Sequence, residues 1–359
     1  MVTVWPRCLL DLTLWHAWHA GRGTLPGPWK GLDLAGVCRS MGTAAWIPRR
    51  PWRVELPGIE VQDRQDDGER VLTWRTPGGT LTSRWILGPD GDWWQSEYPV
   101  KSSADFDAAL AVARARRYVL HPAADGESAT AGAARAEVAG AKIPPGAWIE
   151  PVELPQRPWS ELLHVFFGWS EGLMLMLEEP AVVLGIADVL EEKLARLEEE
   201  LPVAPGSLAL SPDNLDSQFI TPDAFAEHLS ASYSRAASVL HRRGTGLVVH
   251  VGGPVLRLLP ALAACGVDCV EGVCGPPQGD APFADARRAA GPALTLWGGV
   301  AQDYLLPGRT EAEFTAAAAE AFAWADSDPA WVVGVADKVP TEAVPERLTL
   351  LARLAAGRR

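Results

Sequence analysis

Long apolar runs are missing from this 359-residue chain. Nothing approaches the ~20 uninterrupted apolar residues that a membrane-crossing helix needs, so no membrane partner is expected. Positive charge is in deficit: 32 Lys and Arg stand against 45 Asp and Glu, a formal net charge of −13. An acidic chain repels nucleic acid and anionic lipid surfaces alike. Cysteines are few and odd in number, five in all, which argues against a disulfide framework and for a reducing, cytoplasmic setting. Met1 to Leu14 lacks a cationic stretch followed by an apolar run and a small-residue cleavage site, so no secretory leader is expected. No Gly-x-Gly-x-x-Gly follows a strand-like run, which counts against a dinucleotide-binding sheet.

What is present is a globular composition, 48% hydrophobic and 21% charged, long enough to bury a large core. Tryptophan is abundant, with 16 in the chain and ten of them before residue 95. These either pack an irregular N-terminal region or wall a ligand site, since pockets favour aromatic side chains.

Along the first 100 residues, rich in Pro, Gly and Trp, strand-like runs are short. Val54 to Gln62 and Arg70 to Arg75 alternate apolar and polar residues. Thr76-Pro77-Gly78-Gly79-Thr80 supplies a turn, and Leu81 to Leu87 reads as the returning strand of a hairpin. The spacing of Phe106, Ala109, Leu110 and Val112 predicts a helix over Ser103 to Tyr118. The Ala-, Gly- and Glu-rich stretch 122–141 reads as a further helix, and Ala181 to Glu200 as an amphipathic one whose acidic end is a solvated face.

From residue 206 onward short apolar runs alternate with Ala-rich helical stretches. The runs are Ser207 to Leu210, Gly246 to His250, Asp268 to Glu271, Ala293 to Trp297 and Trp331 to Val335. Strands apolar throughout and separated by helices are what a parallel sheet buried on both faces requires. Five in about 130 residues fit half or more of a (β/α)8 barrel, for which about 250 residues is typical; an open doubly wound sheet is the alternative. The expected fold is therefore α/β, a (β/α)8 TIM barrel. Residues 1–359 would be one domain, with 1–100 as an N-terminal elaboration that includes the hairpin and 101–359 as the main barrel.

In such a barrel the chemistry sits at the C-terminal ends of the strands. There the sequence places Asp213, Asn214 and Gln218 after the first run, His250 followed by Gly252-Gly253 after the second, Glu271 and Cys274 after the third, Gly298-Gly299 after the fourth and Asp337-Lys338 after the fifth. Every run delivers a polar residue or a glycine pair at the same end. Each has a plainer explanation alone. Asp213 and Asn214 are good helix caps for the segment near Pro222, His250 is a hydrogen-bonded structural residue, Glu271 is a surface charge, Cys274 is a small buried side chain, and Asp337 pairs with a neighbouring cation.

Several of these stretches resemble one known family. Leu14 to Pro26, Leu-Trp-His-Ala-Trp-His-Ala-Gly-Arg-Gly-Thr-Leu-Pro, is similar to the R-Q-A-G-R-Y-L-P signature of uroporphyrinogen decarboxylases. Asp213 to Gln218 resembles their D-D-x-G-[ST]-Q strand end, and His250 with Gly252 resembles H-x-C or H-x-G. Gly266 to Glu271, Pro276-Pro277, Gly279-Asp280 and Leu296 to Val300 resemble the next two strands, and Val335 to Pro340 the last. The matches run in order over nearly the whole chain.

The resemblance implies one of two activities: metal-free decarboxylation of porphyrinogen acetate arms, or methyl transfer by cobamide-dependent methyltransferases in which zinc activates a thiol. The chain departs from both patterns. Of the two signature arginines only Arg22 matches, with Trp18 and His19 in place of the first Arg and the Gln, which removes half of a carboxylate clamp. Gly252 replaces the first zinc-binding Cys. A different zinc set, His250 with Glu271 and Cys274, or with Asp337, remains open.

The expected activity is transfer of a methyl group from a small substrate to a corrinoid protein or a thiol. A decarboxylase or lyase on a small acid gripped by Arg22, or a ligand-binding barrel without catalysis, are the alternatives. His250, Asp213, Glu271 and Asp337 are the expected catalytic residues; Arg22, His19, Asn214, Gln218, Gly298 and Gly299 are expected to line the substrate. The expected partners are the small-molecule substrate, a corrinoid protein and a second copy of the chain in a homodimer.

Overall fold

The computed structural model describes residues 5–89, 91–121 and 148–357, so the helix expected at 122–141 lies outside the described residues. The chain divides into two compact units: Met1–Arg50 with Ala124–Leu154 and Pro202–Arg359, and Pro51–Ala123 with Pro155–Leu201.

The first unit is α/β. The strands Val152–Glu153, Leu208–Leu215, Gly246–Val251, Cys269–Val273, Thr295–Val300 and Trp331–Val335 form a six-stranded sheet in that spatial order, every pair parallel. All five apolar runs read from the sequence are strands of this sheet. They are buried along nearly their whole length, and helices such as Ser230–Arg242 and Glu311–Ser327 separate them. A strand covered on both faces has no polar side to alternate with. A second parallel sheet joins Leu9–Leu10, Ala44–Trp46 and Trp148–Ile149. Single parallel bridges connect Cys8 to Val333 and Arg49 to Val152, so each edge strand of the larger sheet is linked to the chain around the smaller one.

One buried cluster lies inside these strands. Leu9, Ala44, Trp46, Ile149, Leu208, Val248, Cys269, Trp297 and Val332 all belong to it, drawn from every strand named except Val152–Glu153. Trp297 is, with Trp46, one of the cluster's two largest side chains. Its indole N–H donates to the Leu9 carbonyl at 2.9 Å and its ring meets Trp46 edge-on at 4.9 Å. That position exists because residue 334 has no side chain: a Cβ there would stand 2.2 Å from Trp297 Nε1 and 2.8 Å from the Leu9 carbonyl oxygen.

The second unit holds the expected hairpin. Glu69–Thr76 and Gly79–Leu87 pair antiparallel, closing at Thr76 and Gly79, and Glu60–Asp66 and Trp93–Glu97 extend them to four strands. The run read as Val54 to Gln62 is two strands, Trp52–Glu55 and Glu60–Asp66, separated by a turn with Gly58 at φ +79°. The helix predicted over Ser103 to Tyr118 spans Phe106–Ala115. Arg116 leaves it with φ −55° and ψ 131°, and Arg117–Leu120 pairs antiparallel with Trp52–Glu55. Helix Pro180–Glu200 forms where it was expected, but its acidic end is not a wholly solvated face: Glu198 is buried against Arg157 at 2.5 Å. Four of the ten early tryptophans, Trp15, Trp29, Trp46 and Trp52, are buried packing residues, and Trp94 is exposed. No helix among the described residues is long and apolar enough to cross a membrane.

The crossing of Trp297 over residue 334 is testable. Gly334→Ala places a methyl group against rigid neighbours and is expected to cost ~1–3 kcal/mol, read as a lower urea midpoint. An unchanged midpoint counts against the crossing.

Candidate active site

The parallel register sets the centre of the site. His250 and Glu271 are direct partners on adjacent strands, and neighbouring residues in register face the same side of a sheet. His250 Nδ1 and Glu271 Oε2 lie 2.5 Å apart. Directly after Glu271 the register to the next strand shifts, and Gly272, at φ +103°, lies so close to the preceding strand that a Cβ would stand 2.2 Å from the Val251 carbonyl. Such an irregularity re-aims side chains at a strand end. On the other side of the imidazole, Nε2 is 3.7 Å from Asp337 Oδ1, outside hydrogen-bond range. Asp337 is held at φ +66°, with its carboxylate accepting from the Lys338 amide at 2.8 Å. That left-handed conformation is rare for a side chain with a Cβ and clusters at functional sites.

Asp11 completes the charge set. It follows the short strand Leu9–Leu10, its carboxylate accepts from the Thr13 amide and hydroxyl at 2.9 and 2.5 Å, and its field reaches both Asp337 and His250. Burial raises its carboxyl above the ordinary range, against the lowering effect of the Thr13 hydrogen bonds. Burial alone would depress His250, but the Glu271 carboxylate and its hydrogen bond, with Asp337 and Asp11 behind them, reverse this and raise the imidazole to about 9. Burial pushes Glu271 up to about 7 in spite of the attraction of His250. The direction of these effects favours the charged imidazole, with Nδ1 on Glu271 and Nε2 facing the gap toward Asp337. The other Glu271 oxygen, Oε1, is buried with no hydrogen-bond partner among the described residues. A buried acceptor in that state is costly unless something fills it.

The remaining expected residues are placed variously. Asp213 is buried and accepts from the Ser211 and Tyr233 hydroxyls at 2.7 and 2.5 Å, so it ties its strand to helix Ser230–Arg242. The helix beginning at Pro222 is capped instead by Thr221. Asn214, at φ +52° and exposed, lies over Gly252, and Asp216 lies over Gly253. The first glycine pair therefore makes room for these side chains. Gln218 is exposed, and its amide donates to Asp216 at 2.7 Å. At Gly298 a Cβ would sit 2.1 Å from the Val273 carbonyl, and at Gly299 3.1 Å from the Phe283 ring. The second pair thus allows strand and helix packing. His19 is bound by Thr24 at Nδ1 and by the Thr341 carbonyl at Nε2, both 2.8 Å, which anchors helix Thr13–Arg22 to the loop after Asp337. Arg22, exposed at the end of that helix, stacks 3.2 Å over the Trp18 ring and forms no ion pair among the described residues.

The expected zinc set was tested against this geometry. Among the described residues no group of three or more His, Cys, Asp and Glu is arranged to hold a metal ion. Cys274 packs with Ala301 and Ala336 against Tyr304, and burial pushes its thiol up to about 11, away from the thiolate a zinc site uses. His250, Glu271 and Cys274 as arranged therefore do not fit zinc.

The sequence model of the family described as Uroporphyrinogen decarboxylase (URO-D) matches residues 158–357, more than half of the chain. The chain belongs to the uroporphyrinogen decarboxylase family. Among solved structures, a methyltransferase from Methanosarcina mazei superposes with a TM-score of 0.55 at 14% identity, covering 99% of this chain and 94% of that one, a likeness of fold. No curated protein matches. For the uroporphyrinogen decarboxylase family the sequence reading of the chain is upheld; Asp11 was missed because its strand is only two residues long, although it ends the apolar run Cys8-Leu9-Leu10.

The pair can be probed by titration. A raised imidazole pKa contributes stability that is complete below the unfolded value near 6.5 and is lost as pH rises through about 9. In Glu271→Gln the main attraction goes and burial gains weight, so the His250 pKa is expected to fall by ~1–3 units, followed by NMR of the ring carbons. A value still near 9 counts against the pair.

Proposed function

We propose that the strands of the first unit close into a (β/α)8 barrel and that the chain is a methyltransferase, moving a methyl group from a small substrate to a thiol or to the corrinoid of a partner protein. Single-strand bridges at Cys8–Val333 and Arg49–Val152 and the shared interior cluster support closure. The observation that carries the activity is the placement of His250, held through Nδ1 by Glu271 with Nε2 beyond hydrogen-bond range of Asp337.

The acceptor supplies the nucleophile. As the methyl carbon passes to it, the bond to the donor heteroatom breaks, and that heteroatom takes the proton from His250 Nε2. Glu271 keeps the ring oriented and stabilises its charged form; Asp337 and Asp11 hold negative charge near the ring. A general acid so placed contributes ~10²–10⁴-fold. Three carboxylates around one imidazolium favour a neutral or cationic methyl donor over an acid. Arg22, stacked on Trp18, is the cation that the decarboxylase reading would call upon.

The experiment incubates the protein with methylated amines, thioethers and methoxy compounds and with free reduced cobalamin, following methylcobalamin by absorbance. At least one donor is expected to react, and His250→Ala is expected to lose ~10²-fold or more with metal content unchanged. Full activity in His250→Ala, or release of carbon dioxide from small acids in place of methyl transfer, overturns the assignment.

A further inference from the structure

A second concentration of charge lies in the other unit, and here the sign is positive. Strand Arg117–Leu120 and helix Pro180–Glu200 border a half-open cavity of about 410 Å³, lined by Arg116, Arg117, Tyr118, Lys193, Arg196 and Leu197, with Glu200 at the helix end. None of the His250 group lines it. Four cations around one cavity are unexpected in a chain of net charge −13.

Their partners do not balance them. Arg116 is buried and pairs with Glu161 at 2.6 Å. Among the described residues Arg196 pairs only with Glu192, both mostly in solvent, a contact worth little. Arg117 and Lys193 make no ion pair among the described residues. Lys193 is depressed by burial, an effect that the attraction of Glu192 opposes and the repulsion of Arg196, Arg117 and Arg116 reinforces. A separate observation concerns Arg116. Its Nε is buried and has no acceptor among the described residues, although the same guanidinium bonds Glu161 through Nη1. A guanidinium presents a rigid fork of donors suited to planar or tetrahedral anions, and one donor of this fork is unused on a residue that forms the wall of the cavity.

We infer that this cavity is a binding site for a small organic phosphate, with the phosphoryl group between Arg117, Lys193 and Arg116 and the organic part against Leu197 and the Tyr118 ring. Two cations without partners match a dianion better than a single carboxylate. Their point charge and forks complement phosphoryl oxygens. The apolar Leu197, buried in the helix, and Tyr118, whose ring is fixed edge-on against Trp52 at 5.4 Å, give the organic part a fixed wall. The cavity has room for more than an inorganic ion.

The test is calorimetric titration of the full chain with phenyl phosphate, inorganic phosphate, benzoate and sodium chloride at constant ionic strength. Phenyl phosphate is expected to bind saturably, inorganic phosphate more weakly, and benzoate more weakly still. Lys193→Gln and Arg117→Gln, both outside the core, are each expected to weaken phenyl phosphate by ~10-fold or more, as the loss of a charge-assisted hydrogen bond implies. Arg288→Gln, on a helix of the other unit, is expected to leave it unchanged. Arg116→Lys keeps a charge to face Glu161 and removes the fork, and it too is expected to weaken binding. The inference is overturned if phenyl phosphate does not saturate, if benzoate binds as tightly, or if the Lys193 and Arg117 variants bind like the parent protein.

Discussion

The buried contact between His250 and Glu271 is the constraint on which the site depends. Burial lifts Glu271 above an ordinary carboxyl and on its own would depress His250. The attraction between the two groups opposes both effects, because a low dielectric strengthens charge pairing as well as penalising an isolated charge. Trp297, in register with Glu271 on the next strand, donates its indole N–H to the Leu9 carbonyl and packs on Trp46, so the strand beside the pair is fixed by apolar packing.

Register then converts packing into chemistry. In a parallel sheet a one-residue slip turns side chains to the other face. The pairing of His250 with Glu271, and of Glu271 with Trp297 one strand further on, places the three side chains on the same side. Asp337 and Asp11 reach this layer from strands joined by the Cys8–Val333 bridge and by the Val339 amide on the Asp11 carbonyl.

Most of the α/β architecture was legible because apolar runs buried on both faces have no competing pattern. The strand ends were legible as positions, and His250 and Glu271 proved adjacent as their runs implied. Orientation was not. Between Ser211 and Leu215 the register shifts, so the alternation that would aim Asp213 inward is lost and its carboxylate meets Tyr233 on a helix. Glycine pairs were legible as close approach, but sequence does not say what approaches. At Gly252 and Gly253 it is Asn214 and Asp216, and at Gly298 the adjacent strand. Arg116 had no sequence signal either, because nothing in its neighbourhood along the chain announces Glu161.

Gly272 and Gly298 have a consequence for how this protein can diversify. Each stands one residue past Glu271 or Trp297, and a Cβ added there would stand 2.2 Å from the Val251 carbonyl oxygen or 2.1 Å from that of Val273. A side chain at either place would force two central strands apart, so neither position is open to mutational exploration. Variation in ligand preference is left to the segments that leave the sheet, such as Ser217 to Ile220 with the exposed Phe219, and to the residues that follow Asp337. Related chains that keep the two glycines can drift in what they recognise while the acid–base pair stays where it is.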